Sequence, residues 1–458
     1  MSTPSSRADR PKGLLSVLGL AFGLAGSVGG TIGAGILRTP GLVASALPSP
    51  TLALSAWLLG GIYALLGAIC VAELAASLPR AGGWYVYAEQ AFGRRAGWLV
   101  GFTDWMAHCI GLAWVVTTVG ELLADLVPAA AAASWQGQNW HARVIGLAVL
   151  AVFSSIQWLG VRAGGASQEL LSLVKAVAFL GLAAASLLLP AAVPNAEPLQ
   201  ATALWTERSG LLIGTVLALQ AVITTFDGWA SPVYFAEEFS DPARDLPRSL
   251  IGGVLAVLAL YLLINAGLLH VLPLPTLSQA SLPAADAASS LMGPRGAQVI
   301  TAVALVSLLG LINTVVMAAP RILYGLSRDR LMPELLTTVN DGGTPVAALL
   351  LTSGCAAALV LAGSFDHLLG MGAFLYVGLP LSGIAAQIQL RRRQPDLPRP
   401  FLSWGYPLTP WLVGAGSLAF LIGALLSDTT DSLLALALVA LGGGAGEWWR
   451  RAQAPADA

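Results

Sequence analysis

The sequence predicts an all-α polytopic membrane protein of about twelve transmembrane helices, each needing about 20 mostly apolar residues to cross the hydrocarbon. Three observations carry that prediction. Of 458 residues, 56% are hydrophobic and only 10% charged, with a mean hydropathy of +0.75, whereas a soluble domain carries about 25% charged residues. The apolar residues fall in long runs separated by short charged, polar or Pro-rich punctuation. The basic residues crowd into alternate connections, as the positive-inside rule requires of a chain threaded through a bilayer.

The runs place spans at 14–38, 51–77, 96–126, 142–160, 167–191, 209–236, 249–272, 296–323, 345–363, 367–390, 408–427 and 432–449. The first run is too long for the apolar core of a signal peptide and lacks a small-residue cleavage site, so it reads as span 1. Linkers such as LPSP at 47–50 and VPN at 193–195 join the spans, and none is long enough to fold by itself. Cys70, Cys109 and Cys355 lie inside apolar runs with neither disulfide nor metal-ligand spacing, so they read as small buried hydrophobes.

With the N-terminus inside, eighteen of the 23 Lys and Arg residues fall in inner segments. Four, Arg38, Arg143, Arg208 and Arg295, fall in outer ones, and Lys175 alone lies within a span. This asymmetry predicts a plasma-membrane or inner-membrane protein with both termini in the cytoplasm and an even number of crossings.

Two spans are punctuated unlike the rest. Gly29, Gly30, Gly33 and Gly35 put four glycines into seven residues of span 1, and each costs about 1 kcal/mol against alanine in a helix interior. Span 6 carries the matching fault in TTFDGWASP at 224–232: Gly228 loosens the ladder, Ser231 suits an N-cap, and Pro232 suits the first position of a new half-helix. Broken backbone at bilayer depth is tolerated only where it is buried in protein or lines a cavity. Interrupted spans at corresponding places in two halves point to a transporter binding site; taken singly, the glycines of span 1 also fit close helix packing.

The segment GTIGAGI at 30–36 resembles the first-helix signature of the amino acid/polyamine/organocation superfamily. Four further stretches are similar to the same family, in the same order along nearly the whole chain: ELAASLPRAGG at 73–83, GWASPVYFAEEFSDPARDLPR at 228–248, PRILYGLSRDRLMP at 320–333 and RRRQPDLPRPFLSWGYP at 391–407. The motifs look most like those of sodium-independent, L-type amino acid transporters. The resemblance implies a LeuT-like fold of two inverted five-helix repeats, at 14–191 and 209–390, with peripheral helices at 408–449 and cytoplasmic tails at 1–13 and 450–458. It also implies alternating access and amino acids or small amines as cargo.

The chemistry of such a site follows from the two breaks, because helix N-termini present unpaired N–H groups and C-termini present carbonyls. A substrate carboxylate is expected on the N–H groups of Gly33, Ala34 and Gly35, and an ammonium on carbonyls near Thr31, Ile32 and Thr224 to Asp227, with Gly228 in the break. Thr224 stands where many members of the resembled family carry a covering aromatic, and Ala230 where they often keep a polar side chain. Phe226 or Trp229 is therefore expected to gate the pocket, or the pocket is roomier than usual.

An ionisable group inside the membrane costs at least about 2.5 kcal/mol and needs a reason. Lys175 resembles the lysine that sodium-independent members of the family place on the fifth helix, where its ammonium stands in for a sodium ion and braces the broken first helix. Snorkelling to the interface is the other reading. Asp227 either selects a cationic group or caps local N–H groups. Asp104 and His108, four apart and so on one helix face, fit either a proton relay or a satisfied structural pair. Glu73, Glu237 and Glu238 are expected to pair with Arg80, Arg244 and Arg248 at the inner ends of spans 2 and 6.

No His, Cys or carboxylate cluster has metal-ligand spacing, no P-loop or dinucleotide motif occurs, and no activated nucleophile is visible, so neither a cofactor nor an enzymatic activity is expected. A nucleic-acid partner is not expected either. The resemblance brings in a disulfide-linked heavy subunit known for animal relatives, but the connection between spans 3 and 4 contains no cysteine to hold one. The function so predicted is sodium-independent amino acid or amine transport by proton symport or exchange. An amino acid-binding sensor of the same fold is the alternative.

Overall fold

A computed structural model describes residues 13–33, 35–125, 134–135, 138–189, 208–293, 295–362 and 365–453. Ala34, most of both predicted tails and the linker at 193–195 lie outside the described residues. The chain runs through α1 (Leu20–Thr31), α2 (Gly35–Ala46), α3 (Pro50–Ser77), α4 (Trp84–Phe92), α5 (Arg94–Asp125), α6 (Trp140–Trp158), α7 (Val161–Leu188) and α8 (Arg208–Thr225). After a 3-10 segment, Ser231–Glu238, it continues through α9 (Pro242–Val271), α10 (Leu274–Gln279), α11 (Pro283–Met292), α12 (Arg295–Arg328), α13 (Val346–Ala362), α14 (Phe365–Arg393), α15 (Leu408–Ser427) and α16 (Thr429–Gln453). The one sheet among the described residues is a two-stranded antiparallel pair, Ser134–Trp135 with Gln138–Asn139.

Among the described residues nine helices are long and apolar enough to cross a bilayer, and α1 with α2, bent by 47°, brings the number to ten when the pair is counted as one span. The two remaining predicted spans are α13 and the apolar part of α8, Gly210–Thr225, each shorter than a full crossing. The all-α polytopic class is therefore the one predicted. The sequence pattern missed α4, α10 and α11, which lie in the connections, and it began span 5 six residues late, at 167 rather than Val161.

The polarity of α7 shows which solvent the fold is built for. Gln168, Ser172 and Lys175 are 1%, 4% and 1% exposed, whereas Leu170, Leu173 and Val177 on the outer face are 62%, 62% and 61% exposed. Such a helix would be inside out in water; in a bilayer its apolar face meets acyl chains and its polar face finds partners in the bundle. Those partners are at hand: Gln168 Oε1 accepts from Asn313 Nδ2 (2.8 Å) and Thr314 Oγ1 (3.0 Å) of α12, and Ser172 Oγ donates to the Ala25 carbonyl of α1 (2.8 Å).

The two interrupted spans lie against each other. α1 packs on α7, α9, α12 and the 3-10 segment, while α2 packs on α8. Just before α1 the chain pairs with the exit of span 6: Leu18 N–H donates to the Glu238 carbonyl (2.8 Å) and Ser240 N–H to the Leu18 carbonyl (2.9 Å).

The inner-end ion pairs differ from those expected. Glu73 accepts from Arg391 Nε (2.8 Å) and Nη2 (2.5 Å) and from Ser403 N–H (2.8 Å), Arg80 chelates Asp329 (2.7 and 2.5 Å), and Glu237 pairs with Arg328. Glu238 is held by Arg321 Nε (2.7 Å) and Nη2 (3.0 Å), with both side chains fully buried. Tertiary folding brings α12 and α14 to these acids, a rearrangement that proximity along the chain does not show. Removing one member of a buried pair strands the other charge at a cost of about 3–5 kcal/mol. Arg321→Ala should therefore cut the yield of monodisperse protein and lower its melting temperature far more than Arg80→Ala, whose side chain is 39% exposed. Equal melting temperatures for the two variants in detergent would contradict this ranking.

Candidate functional site

The site is built where four half-helices end. Glycine makes the closest approach feasible: a Cβ on Gly30 would stand 2.5 Å from Ser231 Oγ and 2.7 Å from the Gly228 carbonyl. A Cβ on Gly228, at φ +98°, would in turn overlap the Gly30 carbonyl oxygen. The breaks of spans 1 and 6 thus touch backbone to backbone. On the other side Gly35 abuts Thr225, a Cβ there falling 3.3 Å from Thr225 Cγ2, and the hydroxyls of Thr39 and Thr225 hydrogen-bond at 2.7 Å.

The carbonyls at the end of α1 are met by side chains from two other helices. Lys175 Nζ donates to the Gly29 carbonyl (2.8 Å) and to the Ile32 carbonyl (3.1 Å). Because α7 begins at Val161, Lys175 lies fourteen residues into it, about 21 Å at the helical rise. Its ammonium is committed to buried carbonyls, so the snorkelling reading does not describe it. The buried Tyr261 hydroxyl of α9 sits between the carbonyls of Thr31 (3.1 Å) and Thr225 (3.3 Å), the last residues of α1 and α8. Tyr261 was invisible to sequence reasoning: a lone tyrosine in an apolar run carries no positional signal.

The remaining predicted residues divide. Thr31 and Ile32 are buried; the Thr31 hydroxyl donates to the Ser27 carbonyl (2.7 Å), and Gly33 is covered by Leu311. Ala34 lies outside the described residues. Thr224 is exposed with its hydroxyl bonded to the Gln220 carbonyl (2.8 Å). Phe226 is 1% exposed and stacks edge-on against Tyr261 (5.0 Å between centroids) beside Trp57. Trp229 is also buried, its ring edge over Gly67. Both aromatics are thus built into the wall in this conformation. Ser231 does not cap as expected: its hydroxyl donates to the Gly228 carbonyl (2.6 Å) because the segment it opens is 3-10 rather than α, and Ala230 holds the cap position.

Asp227 is half-buried in the break, in electrostatic contact with His108 of α5 and Tyr376 of α14. Asp104 and His108 face the bundle interior, and Tyr234 of the 3-10 segment donates to Asp104 Oδ1 (3.0 Å). Lys175 bonds to α1 instead, so the structure groups Asp104, His108 and Asp227 with span 6 and Lys175 with span 1. Among the described residues no three His, Cys, Asp or Glu side chains gather as a metal site would require. Cys70, Cys109 and Cys355 are free thiols, and folding brings Cys109 and Cys355 side by side across α5 and α13.

Comparison with known proteins agrees with this architecture. The profile of the amino acid permease family matches residues 13–441. The serine/threonine exchanger SteT of Bacillus subtilis is 29% identical over 94% of this chain and 96% of its own length. The Asc-type amino acid transporter 1 of Mus musculus is 28% identical over 81% of this chain and 70% of its own. The b(0,+)-type amino acid transporter 1 of Homo sapiens is 26% identical over 86% and 80% respectively.

Proposed function

Since the chain belongs to the amino acid permease family, we propose that it is a sodium-independent secondary transporter of amino acids or related amines, working by alternating access as a proton symporter or exchanger. The multi-pass fold and the family make it a membrane transporter and not an enzyme. The observation that carries the finer reading is the Lys175 ammonium on the Gly29 and Ile32 carbonyls. Two carbonyls at the open end of a helix are a cation site, and a fixed ammonium fills it with three donors of its own. A metal ion has no share in it.

The two repeats, 14–191 and 209–390, each contribute one broken span, and helices 408–449 are peripheral. The N–H groups of Gly33, Ala34 and Gly35 are the proposed dock for the substrate carboxylate, and the carbonyls around Thr31 and Thr225, through their second lone pairs, the dock for its ammonium. Asp227 faces the side chain, with Thr224, Phe226, Gly228 and Trp229 framing it. The serine and threonine named for the exchanger relative are candidate cargo, and a pocket in which Thr224 replaces a bulky cover leaves room for larger side chains as well. The basic-residue asymmetry supports a cytoplasmic place for both termini, and no disulfide-linked subunit is required, because the connection between spans 3 and 4 has no cysteine.

Proteoliposomes holding the full chain and loaded with a mixture of unlabelled L-amino acids test this. They should take up a labelled L-amino acid mixture equally well in choline and in sodium buffer. Uptake that needs sodium would refute the role given to Lys175, and binding without any flux would turn the reading to the sensor alternative.

A further inference from the structure

One buried charge cluster has no part in holding the substrate as just described. His108 Nδ1 lies 2.8 Å from the Asp104 carbonyl oxygen and 3.1 Å from Asp104 Oδ1. Both are acceptors, so Nδ1 carries a hydrogen, and whether the ring is neutral or cationic is decided at Nε2. Asp104 is 0% exposed; Oδ1 takes hydrogen bonds from His108 and from the Tyr234 hydroxyl, while Oδ2 is buried with no hydrogen-bond partner among the described residues. With a neutral ring the carboxylate is an underserved charge in a medium that penalises it. With a cationic ring the pair is compensated.

The surroundings leave few other charges to interfere. The 3-10 segment presents Tyr234, α14 presents Tyr376 with its ring 5.7 Å from that of His108, and the span 6 break presents Asp227. Cys109 of α5 and Cys355 of α13 lie one residue along, and the Trp84 indole of α4 touches the Tyr234 hydroxyl. Of the other neighbours of α5, α6 packs at Gly120 and α12 sets Leu326 on Gly101, while α16 covers Phe102 and pairs its Glu447 with Arg95 (3.9 Å), thirteen residues along α5 from His108. Tyr234 thus joins a protonatable pair on α5 to the half of span 6 that follows the break.

Resting on the permease reading above, we propose that Asp104 and His108 form the proton-binding site of this transporter, loaded at His108 Nε2, with Tyr234 relaying its charge state to span 6. When the ring is neutral, the Tyr234 hydroxyl is drawn to the bare carboxylate and pins the 3-10 segment to α5. Protonation supplies the missing counter-charge, relaxes that hold and frees the segment to move, so the conformational change is licensed by a proton. Asp227, facing His108 from the substrate side, ties loading to an occupied pocket.

The test uses proteoliposomes of the full chain, a labelled L-amino acid mixture and an internal pH dye. At one proton per amino acid, a gradient of one pH unit, acid outside, supports up to about tenfold accumulation, abolished by a protonophore and accompanied by internal acidification. His108→Gln and Asp104→Asn should show less than twofold accumulation under the same gradient and no dye response. Tyr234→Phe, which loses only a hydroxyl, should flatten the dependence of exchange rate on pH, and it decides the matter if the other two are not recovered folded. Accumulation by His108→Gln equal to wild type, or an unaltered pH profile in Tyr234→Phe, overturns the proposal. Wild-type exchange with no gradient-driven accumulation also overturns it and leaves the permease reading standing, whereas absence of any wild-type exchange removes both.

Discussion

Gly228→Ala should reduce transport at least tenfold while the protein still reaches the membrane. Two independent penalties act at that position. At φ +98° the backbone is one that only glycine adopts without strain, and a side chain there costs about 1–3 kcal/mol. The new methyl group would also overlap the Gly30 carbonyl and come within 2.6 Å of its carbon. Both obstacles are backbone, which cannot rotate away as a side chain can, so the breaks must part and the groups framing the pocket lose their register. Gly444→Ala is the control, since nothing stands within 4 Å of a Cβ there. Uptake and membrane expression of the two variants check this directly: Gly228→Ala transporting at the rate of Gly444→Ala would mean that the backbone contact is not a functional constraint.

Lys175→Ala should abolish transport and also destabilise, but the first effect should exceed the second. Truncation leaves the Gly29 and Ile32 carbonyls without the donor that now serves them, and each buried unsatisfied group costs about 1–3 kcal/mol. Water admitted to the vacated space recovers part of that. The positioning of α1 is not recovered, because among the described residues it is Lys175 that ties α7 to the break. Lys175→Ala is expected to remain a folded, monodisperse protein with a lowered melting temperature, and to show less than a tenth of wild-type uptake. Normal uptake together with a lowered melting temperature would reduce Lys175 to a packing element.

The layout of the spans was legible in the sequence because lipid imposes a strong rule on composition, and the breaks were legible because glycine and proline are expensive at bilayer depth. Lys175 stood out for the same reason, as one cation in a run that should hold none. What the pattern concealed was partnership. Glu73 finds Arg391 across 318 residues of chain, and nothing in the spacing of either says so; the nearer Arg80 was the natural guess and goes to Asp329 instead. Tyr261 was concealed more thoroughly, since its hydroxyl matters only through two carbonyls that helix ends leave open. The start of span 5 was misplaced because VRAGGASQ at 161–168 looks like a polar linker, yet its Gly164, Gly165 and Gln168 are buried against the bundle.

The short backbone pairing of Leu18 with Glu238 and Ser240 bears on leakage. If the two interrupted spans swung separately, some arrangements would leave a continuous water path through the bilayer, and every such moment would discharge any gradient coupled to transport as proposed above. The two spans are clasped at one end and abut at their breaks, an arrangement that favours their moving together. Under the alternating-access reading proposed above, opening toward one compartment would then be the same displacement as closing toward the other.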